Sequence, residues 1–189
     1  MTTQVRMIDV SSYNHPNDEP IDWERVKRAG VGAVMIKCSE GASYVNPWRE
    51  RDGADAWAAG LLVGYYHFAH PGGREPRVEG EYALTAIDAL PRNLGLALDL
   101  EVVEAQSWPY LKAWALEFLG YVDQVVTHTP IYLDDHFLAN LPGAPFGHRL
   151  WNPRATRPRR EVWAWQEATP ATVPGIAAPT DVGWLHPVE

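Results

Sequence analysis

The segment Leu94-Gly-Leu-Ala-Leu-Asp-Leu-Glu101 sets two carboxylates into an otherwise apolar run. Side chains alternate along a strand, so a strand over 94–101 puts Ala97, Asp99 and Glu101 on one face and Leu96, Leu98 and Leu100 on the other. The Cα atoms of the two acids then lie about 6.5 Å apart by strand rise. Like charges that close are unfavourable, so one carboxyl should keep its proton to a higher pH than usual. A carboxylic acid still protonated near neutrality is what protonation of a glycosidic leaving group requires. A salt-bridged pair at a strand end fits the same spacing, and spacing alone leaves both readings open.

Other groups are weaker taken singly. Asp9 ends an apolar run just before Ser11-Ser12-Tyr13; it either joins the same mouth or caps the following loop through backbone N–H groups. Asp181 is a further acid near the C-terminus. If the first, middle and last strands converge, Asp9, Asp99, Glu101 and Asp181 form one acid-bearing cleft. His67 and His70 flank Phe68, but no third ligand stands at a metal-site spacing, so structural hydrogen bonding or substrate contact is expected and no metal. Ser11-Ser12 lacks the GxSxG elbow of a serine hydrolase. Gly72-Gly73 lacks the spacing and the Lys-Ser/Thr of a phosphate loop.

The elements that must position these residues alternate between strand and helix. Strands are expected over 7–10, 33–38, 61–68, 94–101 and 131–133, as continuous apolar runs of the kind buried on both faces. Helices are expected over 22–29 with Asp22 as N-cap, 47–59, 75–90, 108–128 and 134–140. Shorter strand-like pieces follow at 148–151 and 162–167. The β-α-β-α order argues for a parallel sheet. Five such strands and three shorter ones would close an eight-stranded barrel, with an open doubly wound sheet as the competing arrangement. In a parallel barrel the carboxyl ends of the strands are where active sites collect.

Composition narrows the function. The 189 residues suit one domain, and a formal net charge of −8 disfavours nucleic acid, which needs a basic face to displace counterions. The local exception, Arg154, Arg157, Arg159 and Arg160 interleaved with Pro153 and Pro158, reads as a solvated surface loop. The single cysteine, Cys38, excludes a disulfide framework and reads as a buried thiol. No apolar run approaches the roughly 20 residues needed to span a bilayer, and the first residues carry no apolar signal-peptide core. Nine tryptophans hint at sugar stacking, although so many must partly serve the core.

In order along the chain, Ile8-Asp-Val-Ser-Ser-Tyr-Asn14, Ile21-Asp-Trp-Glu-Arg-Val-Lys27, Val34-Met-Ile-Lys-Cys-Ser-Glu-Gly41 and Gly60-Leu-Leu-Val-Gly-Tyr-Tyr-His-Phe-Ala69 are followed by Leu96-Ala-Leu-Asp-Leu-Glu101, Pro130-Ile-Tyr132, Leu150-Trp151, Trp165-Gln166 and Val173-Pro-Gly-Ile176 with Asp181. This ordered set resembles glycoside hydrolase family 25, the Chalaropsis-type muramidases of bacterial lysozymes and phage endolysins. The resemblance implies an α/β, TIM-like (β/α)5(β)3 barrel that hydrolyses the β-1,4 bond between N-acetylmuramic acid and N-acetylglucosamine. Glu101 matches the general acid and Asp99 its partner, while Asp9 and Asp181 match the further acids of the pocket. Lys37, Glu40, Tyr66, Tyr132, Trp151 and Trp165 match positions lining the sugar groove. Departures cluster in the last third: Glu167 follows Trp165-Gln166, Asn152-Pro-Arg154 follows Trp151, and Val182-Gly-Trp184 follows Asp181.

Two routes fit the acid pair: a carboxylate nucleophile, with the carboxyls roughly 5–5.5 Å apart, or attack by the sugar's own N-acetyl group oriented by Asp99. The second is preferred. The expected partner is the bacterial peptidoglycan strand, engaged by a monomer without cofactor or membrane insertion, in a phage lysin released at lysis. A chitinase-like glycosidase and a non-catalytic glycan-binding barrel are the alternatives.

Overall fold

A computed structural model describes residues 4–153 and 162–186; the basic loop expected at Arg154, Arg157, Arg159 and Arg160 lies outside them. Strands β1 (Val5–Val10), β2 (Ala33–Glu40) and β3 (Tyr44–Val45) are followed by β4 (Leu62–Phe68), β5 (Leu96–Asp99) and β6 (Ile131–Tyr132). Then come β7 (Leu150–Pro153), β8 (Ala164–Gln166) and β9 (Asp181–Leu185). Helices α1 (Trp23–Arg28), α2 (Arg49–Ala58), α3 (Pro76–Ala86), α4 (Trp108–Val122) and α5 (Asp135–Asn140) lie between them.

Parallel pairing runs from β1 through β2, β4, β5, β6 and β7 to β8; β9 then pairs antiparallel with both β8 and β1 and closes the ring. The result is an eight-stranded barrel of (β/α)5(β)3 order, so the open sheet is excluded. The short β3 folds back antiparallel on β2, outside the ring.

Alternation divides the strands into two apolar layers. Ile8, Val34, Ile36, Val63, Leu96, Leu98, Leu100 and Ile131 pack outward against helix residues such as Val26, Ala56, Ala83, Trp114 and Phe118. Met7, Ala33, Met35, Leu94, Ala97, Ala164 and Leu185 fill the lumen below Trp151 and the half-buried Tyr66 and Tyr132. The predicted parity therefore holds over 96–100, with Leu96, Leu98 and Leu100 outward and Ala97 inward, whereas Leu94, before Gly95 at φ 80°, faces the lumen. Helix α4 carries its expected apolar stripe: Leu111, Trp114, Ala115, Phe118, Leu119 and Val122 are buried, and Ser107 caps its start by accepting from the Tyr110 N–H. Asp22 caps α1 by accepting from the Arg25 N–H at 2.9 Å. The Cys38 thiol is fully buried, donates to the Tyr66 carbonyl, and has its pKa pushed up to about 12 by that burial.

Several boundaries differ from expectation for identifiable reasons. Strand β5 stops at Asp99, because its neighbours end at Phe68 and Tyr132 and leave Glu101 no ladder partner. Helix α3 stops at Ala86 rather than near 90, where Ala89 turns into the left-handed region at φ 57° and Arg92 caps the Ile87 and Leu90 carbonyls. Helix α2 begins at Arg49, since the Asn46 side chain accepts from the Trp48 N–H and holds a turn first. The β2–β3 hairpin was not expected; its turn includes Gly41 at φ 50°, a conformation glycine adopts without steric cost.

Close packing of the lumen needs Gly64. A Cβ there would lie 2.7 Å from both Leu94 Cβ and Met35 Sδ, and the leucine atom cannot swing aside. Gly64→Ala is expected to destabilise the fold by about 1–3 kcal/mol through overpacking, measured as a lowered denaturant midpoint with unchanged slope.

Candidate active site

At the carboxyl ends of the parallel strands lies a cavity of about 350 Å³. Strand β1 contributes Asp9, with Ser11 and Tyr13 from the loop beyond; β2 contributes Lys37; β4 contributes Tyr66 and Phe68. Asp99 ends β5 and Glu101 follows two residues on, while Tyr132, Trp151, Gln166 and Asp181 come from β6, β7, β8 and β9. Backbone register does the assembling. Asp9 sits opposite Asp181 in the β1–β9 ladder, Lys37 opposite Tyr66, and Asp99 beside Tyr132, which in turn faces Trp151.

The loop after β1 is capped without Asp9. The Asn14 side chain accepts from the Ser11 N–H at 2.8 Å, Ser11 Oγ accepts from the Tyr13 N–H, and Asn14 Nδ2 donates to Thr180 Oγ1 at 3.2 Å. This leaves Asp9 to the cavity and ties the loop to the residue before Asp181. Tyr13 stays 87% exposed at the rim.

Among the described lining residues, four carboxyls face one ammonium. Burial, then the charges of Asp181 and Glu101, hold the Asp9 pKa well above the carboxylate range. Burial, then Glu101 and Asp9, do the same for Asp99, against the lowering effect of Lys37. The Glu101 pKa is raised by burial and by Asp134 and Asp181, again opposed by Lys37. Asp99 and Glu101 therefore titrate as a pair, with apparent constants that belong to both. Glu101 makes no ion pair with an arginine among the described residues and lines the cavity rather than the helix layer.

Asp99 is 7% exposed, and its Oδ1 has no hydrogen-bond partner. Trp151 Nε1 is likewise buried and unpartnered. The aromatic wall is rigid: Tyr132 and Trp151 meet edge-on at 4.9 Å between centroids, and Tyr66 meets Trp151 edge-on at 6.1 Å. The Tyr66 pKa is raised by burial and by Asp9 and Asp99, so its hydroxyl stays a donor across the neutral range.

Two residues matched to the groove lie elsewhere. Trp165 is buried in the layer outside the barrel, because Ala164 and Gln166 take the inward parity of β8. Glu40 lines an adjoining cavity rather than this one. Glu40 touches the site through Lys37, whose ammonium it binds while that ammonium sits 4.7 Å from the Phe68 ring centroid. Ser11, Tyr13, Phe68 and Gln166 were not singled out, although each adjoins a residue or motif that was. The two histidines are engaged differently. His67 is fully buried, with Nδ1 2.9 Å from Ser39 Oγ and Nε2 2.9 Å from Glu79 Oε2. Ser39 is also fully buried, so this Ser-His-Glu chain has no substrate to attack. His70 is clamped between Glu40 and Glu104.

A family profile described as Glycosyl hydrolases family 25 matches residues 8–156. The chain belongs to this family. It is 30% identical over 121 residues to the autolytic lysozyme of Clostridium acetobutylicum, in an alignment covering 61% of this chain and 37% of that protein. The chain thus spans well under half the length of that curated relative. The bacterial lysozyme of Streptomyces coelicolor superposes with a TM-score of 0.84 at 22% identity, over 99% of this chain and 94% of that one. A family 25 glycosyl hydrolase from Bacillus anthracis gives a TM-score of 0.85 at 16% identity, covering 98% and 90%. At those identities the likeness speaks for the barrel alone. The family match includes Asp9, Asp99 and Glu101 but ends before Asp181, which the β1–β9 register brings to the same cavity.

The crowding has a thermodynamic signature. A carboxyl whose folded pKa is raised contributes stability that is present below its unfolded value, about 3.9 for Asp, and lost as pH rises through the folded value. Asp99→Asn should therefore melt higher than the native protein at neutral pH, and the difference should close as pH falls below about 4. Melting temperatures of the two proteins across that range check it.

Proposed function

We propose that this domain is a muramidase that cleaves the β-1,4 bond between N-acetylmuramic acid and N-acetylglucosamine of the bacterial cell wall, acting as a monomer. One observation carries the reading: the raised Asp99–Glu101 pair stands in one aromatic-walled cavity with Asp9 and Asp181. Membership of a glycosyl hydrolase family supports it.

In this reading Glu101 is the general acid. It gives its proton to the glycosidic oxygen as the bond from that oxygen to the anomeric carbon breaks, which suits a carboxyl that keeps its proton toward neutrality. The substrate's own N-acetyl carbonyl oxygen then bonds to the anomeric carbon. Asp99 and Glu101 titrate as a pair; in this step the proton stands on Glu101, and the ionised Asp99 accepts from the acetamido N–H and balances the charge that develops there. Its unpartnered buried Oδ1 is the observation that favours this route over direct attack by a carboxylate. Water then adds to the anomeric carbon as the bond from that carbon to the acetamido oxygen breaks, which restores the N-acetyl group, and the water gives up a proton to Glu101, with retention of configuration. Asp9 and Asp181 line the cavity beneath the sugar, Tyr66 and Tyr132 offer hydroxyls, and Trp151 supplies an apolar wall.

Glu101→Gln should lower lysis of purified walls by about 10²–10⁴-fold with the melting temperature essentially unchanged; full lytic activity in that variant would refute the assignment. Mass spectrometry of wall digested by the native protein should find muramic acid at the new reducing ends. Glucosamine there, or turnover of chitin without turnover of peptidoglycan, would point to a different glycosidase. Substrate assistance further predicts that walls whose muramic acid carries a free amine resist cleavage, while a carboxylate nucleophile would leave them sensitive.

A further inference from the structure

Beside the carboxylate cleft is a second cavity of about 240 Å³, whose polar lining side chains include Ser43, Tyr44, His70, Arg74, Glu40 and Glu79. The two cavities share a wall. Glu40 binds the Lys37 ammonium of the cleft, and His70 follows two residues after Phe68. Most polar groups of the second cavity already have partners. Glu40 is held by Lys37 and His70, His70 by Glu40 and Glu104, and the Tyr44 hydroxyl lies 2.8 Å from Ser12 Oγ.

Two groups remain. Glu79 is fully buried; its Oε2 accepts from the His70 N–H at 3.1 Å and lies 2.9 Å from His67 Nε2, but its Oε1 has no partner. The exposed Arg74 guanidinium makes no ion pair among the described residues. A buried carboxylate oxygen left bare is unfavourable unless something donates to it. A simple anion on Arg74 would leave Glu79 Oε1 unmet, and a simple cation would face Arg74. A ligand end that carries both a carboxylate and an ammonium satisfies both groups at once.

We propose that this cavity is a subsite for the peptide stem of the wall polymer. It takes an amino-acid end with its carboxylate on Arg74 and its N–H donors toward Glu79 Oε1. The identity of the polymer rests on the muramidase reading; the chemistry of the subsite does not. The distance is short, since the cavity adjoins the cleft in which a muramic acid, the sugar that bears the stem, would lie.

The test uses a soluble stem tripeptide ending in diaminopimelate, whose side-chain end has both groups on one carbon. Calorimetry should find saturable binding to the native protein, equally to Glu101→Gln, and weakened about 10–100-fold in Arg74→Ala. Arg74 is exposed, so this variant should melt like the native protein; Glu79→Gln should weaken binding too, but the conclusion does not depend on its folding. In kinetics, native protein should show a lower KM on intact walls than on glycan strands stripped of peptide by an amidase. Arg74→Ala should abolish that difference while cutting stripped strands normally. No saturable binding at millimolar peptide, or equal binding by Arg74→Ala, would overturn the subsite. Peptide bound but walls uncut would leave the subsite standing and remove the muramidase reading; walls cut but peptide unbound would do the reverse.

Discussion

Among the described residues, four carboxyl groups and one ammonium share the mouth of this barrel, and that imbalance governs most of what surrounds it. Charges of one sign in a partly dry cavity repel strongly, and removal from water penalises each of them separately. Left to themselves, side chains at such a mouth would turn outward into solvent. Asp9, Asp181, Lys37 and Asp99 cannot, because each stands on a backbone position fixed by ladder register: Asp9 against Asp181, Lys37 against Tyr66, and Asp99 between Phe68 and Tyr132. The remaining escape is to hold protons, and the raised pKa values of Asp9, Asp99 and Glu101 express it. Repulsion that weakens the fold is thus the same force that keeps an acid protonated for use.

Tolerating that strain requires a stiff barrel. Its lumen is filled low down by Met7, Ala33, Met35, Leu94, Ala97 and Leu185, and higher up by Trp151 with Tyr66 and Tyr132. The outer layer is held by α3 and α4; within α4, Trp114 and Phe118 stack at 5.5 Å, with Phe118 in turn 5.3 Å from the His67 ring on β4. The buried Ser39–His67–Glu79 chain runs through this layer and joins β2, β4 and α3. Burial holds the His67 pKa down against the raising effect of Glu79, so the ring stays a neutral hydrogen-bonding link.

How much of this was legible in the sequence depended on whether the information was local. Period-two alternation separated Leu96, Leu98 and Leu100, which face outward, from Asp99 and Glu101, which line the cavity, because parity is set within one strand. Strand ends are set by neighbours, so Glu101 was assigned to a strand that stops at Asp99. Tryptophan count alone could not sort the rings: Trp23, Trp114 and Trp163 are core, as so high a number requires, and Trp165 faces away from the cavity because its strand offers Ala164 and Gln166 inward. Aromatic character signals burial and sugar contact alike, and only register separates them. Contacts between distant segments, such as Asn14 with Thr180 or His70 with Glu104, left no pattern to read.

Those distant contacts explain how the single ammonium is held where it is useful. Lys37 lowers the pKa of both Asp99 and Glu101, so its position tunes the acid pair. Its ammonium is bound by Glu40, Glu40 by His70, and His70 by Glu104, which also accepts from the Gly72 N–H at 2.7 Å. Burial opposes the charge on His70, yet hydrogen bonds from Glu104 and Glu40 outweigh it and raise the pKa. The Glu40 pKa responds in the opposite direction: burial pushes it up, but Lys37 and His70 bring it lower overall. Base and acid therefore alternate along the row, and the raised His70 pKa and the lowered Glu40 pKa both favour the charged forms of those two groups. An isolated exposed ion pair contributes little, but an alternating row anchored at both ends fixes the geometry of its first member. The loop after β4 thereby helps set the potential felt by two carboxyls it never touches.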